Sequence, residues 1–327
     1  MQTNSEASNQ PGAHRKFFFQ CENSGFRLDQ FVALQFPAVS LTNIRRVIRE
    51  GSATVNGTAA RQGWILQAND RVAIKLDPSE PTSALPEDIP LEILHEDADL
   101  LIINKAAGLL SHPSNTEKSG SVMNAVAYYL LHRAAKMSQD LVRPILLHRL
   151  DRDTSGVLAL ALNERAGRIV SKAFRDRKVA KSYLGLVHGV VEQDEGLIEA
   201  PIGRAPGQWP RWRVADDGVA AKTKYTVKER FAGHTLIEMD ALTGRTHQLR
   251  IHCAFIGHPI VGDKVYRGAA EAQSSPWPGE KPRRQLLHAR TLSLRHPTGG
   301  DQLTIEALLP VDLAIALDAL RALHPAE

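Results

Sequence analysis

The most chemically charged stretch of this 327-residue chain is HRLDRDTSG, from His148 to Gly156. Arg149, Asp151, Arg152 and Asp153 crowd two bases and two acids into five residues, between the apolar runs PILL and VLALAL. A carboxylate has an ordinary pKa of about 3.9, so at neutral pH it is ionised and needs no general base to act as a nucleophile. It needs only to stay ionised once desolvated, and an Arg within about 4–6 Å secures that. A loop pinned between two buried elements is where such a group can be held still. Composition alone equally allows a salt-bridged surface loop, or an N-cap box built on Asp153 and Thr154.

A second cluster is TGRTHQLRIH, Thr243 to His252. RTHQLRIHCAFIG is predicted to be a helix stopped by Gly257. That helix places Arg245 at its start, Leu249 one turn on along the same face, and Arg250 pointing elsewhere. The competing reading is basic residues on an exposed helix. His247, His252 and His258 make no zinc signature, because neither H-E-x-x-H nor C-x-x-C is present, so no metal is expected. In KSYLGLVHG, Tyr183 lies within a predicted strand, where a ring either packs in the core or stacks on a base, worth about 1–3 kcal/mol per stacked base.

Two further stretches are basic. From Pro201 to Tyr225 a Pro/Gly-containing loop interleaves Arg204, Trp209, Arg211, Trp212 and Arg213. A core needs no such mixture, whereas cations and stacking rings suit a grip on RNA. GEKPRRQ, Gly279 to Gln285, reads either as a solvated loop or as a second RNA contact.

The elements that must position these residues follow from hydrophobic periodicity. Leu100 to Asn104, GVLALALN, KSYLGLVHGVV, AAKTKYTVKERF and TLIEMDAL read as strands. MNAVAYYLLHRAAK and ERAGRIVSKAFRDRKV read as helices, the second with Ile169, Val170 and Phe174 inward. Runs of strands broken by two or three helices predict an α+β fold with a mixed, mostly antiparallel sheet rather than a doubly wound parallel one.

Upstream, four segments are expected. Residues 1–14 lack periodicity and read as a disordered tail; residues 15–77 form a small α/β module; residues 78–90, with four prolines and no basic residue, are a linker; residues 91–323 form the catalytic domain. In the module, Ser40 and Thr42 are cap candidates before NIRRVIREG, and Gly51 is a stop signal. Ile44, Val47 and Ile48 share one helix face; Arg45, Arg46 and Arg49 share the other. Asn56-Gly57 supplies the turn of a hairpin. The module holds nine Lys/Arg against five Asp/Glu, an excess of four, which equals the net charge of +4 of the whole chain. Its basic face reads as an RNA-backbone contact or as a merely solvated surface.

Two cysteines, Cys21 and Cys253, exclude a disulfide framework and a Cys-rich zinc site. A polar N-terminus and the lack of any apolar run near 18 residues predict a soluble, cytoplasmic protein with no membrane partner. A monomer is expected.

Phe26 to Gly57 resembles the S4-like RNA-binding module first described in a small-subunit ribosomal protein, through its RLD start, capped basic helix and V-N-G turn; Leu41 stands where many such modules carry Arg. The ordered set NKAAGL (Asn104 to Leu109), HRLDRDTSG, KSYLGLV and TGRTHQLR resembles the pseudouridine synthases of the RluA/RluD type, with Ala106 in place of the usual Pro. The resemblance spans about Phe26 to Pro310. It implies an isomerase that breaks the N1–C1′ bond of a uridine in RNA, turns the uracil and rejoins it through C5, with no cofactor. It implies Asp151 as nucleophile, acting by attack or by assisting proton removal at the ribose. Arg245 is then the basic partner of the nucleophile and Tyr183 the ring against the uracil. Leu249 becomes the apolar floor, and Arg149, with His148 nearby, fills the gap left by the extruded base. Arg211 and Trp212, on the interleaved loop, are expected to hold RNA, as are Arg45, Arg46 and Arg49. The added module implies large-subunit ribosomal RNA as substrate. The alternatives are the same chemistry on tRNA and a non-catalytic RNA-binding factor in ribosome assembly.

Overall fold

The computed structural model describes residues 15–36, 39, 41–76, 84–114, 116–137, 142–205, 207, 211–267 and 277–323. The expected tail 1–14, the Ser40 cap, residues 78–83 of the expected linker and Trp209 lie outside these residues. The chain divides into two compact units, residues 1–87 with 113–119, and residues 88–112 with 120–327.

In the first unit, the elements are β1 (Arg15–Gln20), α1 (Leu28–Gln35), α2 (Leu41–Arg49), β2 (Ala53–Val55), β3 (Thr58–Ala59) and β4 (Arg71–Leu76). The strands form one antiparallel sheet in the order β1-β4-β2-β3. Asn56 and Gly57 both take positive φ, 51° and 83°, as a two-residue hairpin turn requires. Along α2 the apolar stripe Ile44, Val47 and Ile48 is buried against Val55, Val72 and Ile74. Thr42 is the second residue of α2 rather than its cap.

The basic face of α2 is not uniform. Arg46 and Arg49 are exposed, with Arg46 paired to Glu50 one turn on. Arg45 turns back to the fold: its Nε donates to Asp29 at 2.7 Å, and Arg27 donates two more hydrogen bonds to the same carboxylate. The expected role of Arg45 in RNA contact is therefore qualified, since its guanidinium helps satisfy a fully buried acid. This explains the RLD string physically: Leu28 fills the core, and Asp29 ties the start of α1 to α2.

Burial by itself would raise the pKa of Asp29, but hydrogen bonds and charge from Arg27 and Arg45 outweigh it and hold it below 3.8. A carboxyl depressed in the folded state contributes stability that is complete above its unfolded pKa of about 3.9 and lost as pH falls through the folded value. Asp29→Asn is expected to destabilise this unit by about 1–3 kcal/mol at neutral pH. It should also flatten the acid limb of its stability. Denaturation of the full chain between neutral and strongly acid pH measures both.

The second unit is built on a single sheet. Its strands are β5 (Glu92–Glu96), β6 (Leu100–Lys105), β7 (Ile145–Leu146), β8 (Ser155–Ala161), β9 (Ala180–His188), β10 (Glu195–Glu199), β13 (Lys222–Phe231), β14 (His234–Ala241), β15 (Leu287–Arg295) and β16 (Gln302–Glu306). The main order is β10-β13-β14-β9-β15-β8-β6-β5, with β16 on β15 and β7 on β8. A separate hairpin pairs β11 (Ile202–Arg204) with β12 (Trp212–Val214). The helices are α3 (Val122–Met137), α4 (Glu164–Arg175), α5 (Gln248–Phe255) and α6 (Val311–Leu323). Every pairing is antiparallel except β15 with β8, so the α+β, mostly antiparallel expectation holds.

Both faces of the middle of this sheet are covered. Leu101 and Ile103 join one core cluster with Val122, Val126 and Leu130 of α3, whereas Leu100 and Ile102 join another with Ala166 and Val170 of α4. Strand residues alternate between faces, and here each face is apolar. Burial of Val170 is as expected, but Ile169 is exposed: the stripe of α4 that meets the sheet is narrower than three inward residues suggest.

Where β8 begins, the parallel contact with β15 brings Gly156 against Ala289. Gly156 has φ +114°, and a Cβ there would stand 2.1 Å from the Ala289 carbonyl oxygen. Glycine alone lets β15 pass this close to the end of the HRLDRDTSG loop.

Candidate active site

Asp151 lies in the loop between β7 and β8, and that loop is held from every side by buried donors. Lys105, at the end of β6, is 1% exposed. Its ammonium donates to the carbonyls of Ala106, Leu109 and Arg152, at 2.9, 2.8 and 2.8 Å. Burial pulls its pKa down to about 7, with the Asp153 charge opposing. Ser111 accepts from the backbone N–H of Leu150 and donates to its carbonyl, a two-way clamp on the residue before Asp151. Arg284 donates to the Asp153 carbonyl at 2.9 Å while forming a two-pronged pair with Asp312 at the start of α6. Ser155 hydrogen-bonds His288 at 2.9 Å. Arg284, in the GEKPRRQ stretch, is thus a buried brace rather than an RNA contact, and the neighbouring Arg283 pairs with Glu280.

The partner of Asp151 is Arg250. Its Nη1 donates to Asp151 Oδ2 at 2.9 Å, and its Nε and Nη2 form a fork with Asp263 at 2.6 and 2.9 Å. Asp263 also accepts from the backbone N–H groups of Val265 and Tyr266, and the Tyr266 ring lies 5.1 Å from the Arg250 guanidinium. The guanidinium is 6% exposed, yet two carboxylates raise its pKa despite burial, so it stays a cation. The Asp263 carboxyl, which burial would raise, is held below its ordinary value by Arg250. The other Asp151 oxygen faces His247 Nε2 at 3.9 Å, and His247 Nδ1 pairs with the Tyr266 hydroxyl at 2.8 Å.

This corrects the expectation that Arg245 pairs with the nucleophile and that Arg250 points elsewhere. The helix begins at Gln248, not at Arg245, because His247 takes a left-handed conformation, φ 56°. The 100° rotation per residue assumed for Arg245 therefore does not apply. Arg245 sits in the loop before α5, its Nε donating to the Ala220 carbonyl at 3.2 Å. Gln248 locks that loop: its side-chain oxygen accepts from Thr243 Oγ1 and the Arg245 N–H, and its amide donates to the Lys222 carbonyl and Thr223.

These groups open onto one cleft of about 1100 Å³ that also contains Arg149, Tyr183, Arg245 and Leu249 in its wall. Among the described residues its lining holds eight Lys/Arg against two Asp. Leu249 and Tyr183 belong to the main core cluster and present apolar surface beside Asp151. Burial, reinforced by the Asp151 charge, pushes the Tyr183 phenol above its ordinary pKa. Arg149 is exposed, and no hydrogen bond or ion pair among the described residues holds it.

Three expected substrate contacts are placed otherwise. His148 lines the cleft, but its Nε2 accepts from the Ala159 N–H at 3.1 Å and its ring stacks on Phe174 at 5.1 Å. Burial, aided by the Lys181 charge, drives its pKa down to about 3, so it is a neutral brace rather than a cation for RNA. Arg211 and Trp212 are not in the cleft wall. Trp212 packs with Ile251 of α5 and lies under the Arg204 guanidinium at 5.4 Å, and Arg211 donates to the Val265 carbonyl. Conversely, His247, Asp263 and Tyr266 were not assigned to the site. Nothing in GDKVY distinguishes that aspartate from any other until the fold brings it to Arg250.

Among the described residues, no helix is long and apolar enough to cross a membrane.

A pinned carboxylate paired with a buried arginine, with a tyrosine in the same cationic cleft, suits an enzyme acting on a polyanion. Residues 99–255 match the family of RNA pseudouridylate synthases, and residues 26–72 match the S4 domain. The chain is 38% identical to ribosomal large subunit pseudouridine synthase D of Nitrosomonas europaea, over 92% of this chain and 86% of that protein. It is 36% identical to ribosomal large subunit pseudouridine synthase D of Pseudomonas aeruginosa, over 92% and 93%. The fold is similar to that of human RNA Pseudouridylate Synthase Domain Containing 4, with a TM-score of 0.56 and 26% identity over 70% of this chain and 93% of that one. The chain belongs to the RNA pseudouridine synthase family, and is an isomerase with an additional S4 domain.

Proposed function

We propose that this enzyme converts particular uridines of large-subunit ribosomal RNA to pseudouridine, with Asp151 as the group that acts on the ribose. The observation that carries the reading is the Asp151–Arg250 pair, 2.9 Å, at the wall of a cationic cleft. Arg250 places a cation on one Asp151 oxygen and leaves the other free of its hydrogen bonds, 3.9 Å from His247, in a residue that lines the cleft. Asp151 attacks C1′ or takes up a ribose proton as the N1–C1′ bond breaks, and the bond's electron pair leaves with the uracil. The uracil turns and C5 bonds to C1′ as the Asp151–C1′ bond breaks or, on the other route, as Asp151 returns its proton to the ribose; the C5 proton is then lost and N1 ends protonated, so atoms balance without an oxidant or a water consumed.

A uridine in folded RNA is stacked, and extruding it costs about a few kcal/mol. Arg149, exposed at the cleft and free of an ion pair among the described residues, is suited to the space the base leaves. Tyr183 supplies the ring against which the uracil packs. Its raised pKa keeps the phenol protonated at neutral pH, which favours a platform over a base acting unaided at C5. The relatives named for the large ribosomal subunit and the S4 domain support ribosomal RNA over tRNA. Mapping pseudouridine in ribosomal and transfer RNA from cells with and without the protein tests this. Sites lost in large-subunit RNA are expected; loss confined to tRNA would keep the chemistry and overturn the substrate.

A further inference from the structure

The cleft is also lined by the connector from α4 to β9, and none of the machinery above uses it. It carries Arg177 and Lys178 and is flanked by Arg175 at the end of α4 and Lys181 at the start of β9, all lining the same cleft as Asp151. Its one acid, Asp176, is paired with Lys172 on the preceding turn. Arg175, Arg177 and Lys178 are exposed and form no ion pair among the described residues. Lys181 is half-buried two residues before Tyr183 on β9, so both side chains leave the same face of the strand. Its ammonium lies 6.0 Å from the Phe174 ring, and close to Gly244, where a Cβ would stand 3.7 Å away. Burial lowers its pKa, and no carboxylate among the described residues pairs with it.

The backbone of this connector is costly for the residue it carries. Helix α4 ends with two backbone bonds, Lys178 N–H to the Ala173 carbonyl at 2.9 Å and Arg177 N–H to the Phe174 carbonyl at 3.2 Å. That pattern requires a left-handed residue after the cap, where glycine is usual because it has no Cβ to strain. Here the residue is Arg177, at φ 57°. A non-glycine residue in this conformation, at the rim of a functional cleft, points to a use for its side chain.

We propose that the α4–β9 connector cradles the phosphodiester backbone of the RNA strand carrying the target uridine, with Arg177 and Lys178 at the rim and Lys181 deeper in the cleft. The proposal rests on the RNA-isomerase reading. Uncompensated cations at graded depth beside Asp151 match a polyanion entering with its base already turned inward. Phosphate contacts fix register without reading sequence, so they complement the ring and floor that receive the base.

The test uses the full chain carrying Asp151→Asn, so that RNA binds without turnover. Its dissociation constant for a large-subunit RNA transcript holding a mapped target is measured across salt concentrations. Arg177→Gly removes the charge and relieves the left-handed strain. A purely structural role therefore predicts a melting temperature at or above the parent's and unchanged binding. The cradle predicts that same melting behaviour with weaker binding. With Lys178→Gln added, affinity should fall about tenfold or more, and the slope of log affinity against log salt should shrink by about 0.7–0.9 per lost phosphate contact. Lys224→Gln, a charge paired with Glu195 away from the cleft, is the control. An unchanged slope in the double variant overturns the cradle, as does an equal loss in the control, which would mean bulk charge. The chain with Asp151 intact is assayed for conversion on the same transcript. Failure there overturns the RNA-isomerase reading and the cradle with it, whereas conversion with an unaltered slope overturns the cradle alone.

Discussion

Replacing Asp151 by Asn is expected to abolish uridine isomerisation, by about ten-thousandfold or more, while leaving the fold and RNA binding in place. Asn is isosteric, and its side-chain oxygen still accepts from Arg250, so the loop keeps its shape. The loop is in any case held by Lys105, Ser111 and Arg284, none of which bonds to the Asp151 side chain. Arg250 is left with Asp263, which already takes two of its N–H groups. What disappears is the negative charge and the nucleophilic oxygen. The measurement is release of the C5 hydrogen from isotopically labelled RNA, alongside thermal denaturation. Retained conversion in a folded Asp151→Asn protein would end the proposal that this carboxylate performs the reaction.

The second large effect is expected at Arg250. This side chain spans two carboxylates, and Asp263 is almost wholly buried beneath it. Arg250→Leu leaves Asp263 buried without a cation, a change that costs about 3–5 kcal/mol of stability. It also releases Asp151 from its partner, so conversion should fall about a hundredfold or more beyond what partial unfolding explains. Arg250→Lys separates the two roles. A single ammonium keeps positive charge in the site but cannot form the fork to Asp263 and reach Asp151 together. It should recover much of the stability and little of the activity. Arg245→Ala is the comparison. Among the described residues its side chain bonds only to a backbone carbonyl, at 3.2 Å, so its loss should weaken conversion by about tenfold or less. An effect at Arg245 larger than at Arg250 would restore Arg245 as the nucleophile's partner.

How far the site could be read in advance depended on the kind of residue. Asp151 stood out because charges of both signs were wedged between apolar runs, and the structure puts that string in a loop braced by buried groups. The strands, the Asn56-Gly57 turn and the buried stripe of α2 were legible because each is a local pattern of period 2, turn chemistry or period 3.6. The resemblance put His148 beside the substrate, and the stretch holding Arg284 read either as a solvated loop or as an RNA contact. Both are braces, because a side chain's partner is set by what the fold packs against it: Ala159 for one, Asp312 and Asp153 for the other. Trp212 looked like a stacking platform, and Ile251 of α5 sits against it instead.

The sequence by itself determined the α+β class, the two RNA-linked modules and Asp151 with Tyr183 and Leu249 in one site. The class follows from local periodicity; the modules and the grouping of Asp151, Tyr183 and Leu249 are what the resemblance carried by the ordered motifs implies. Only the tertiary structure decided which arginine meets Asp151. Arg245 and Arg250 are five residues apart in the same string, and a left-handed His247 starts α5 three residues later than periodicity suggests. That shift, with Asp263 thirteen residues downstream to receive the other side of the guanidinium, puts Arg250 on the carboxylate. A single φ of opposite sign redirects every side chain after it, and no pattern of residue types reports its sign at a histidine.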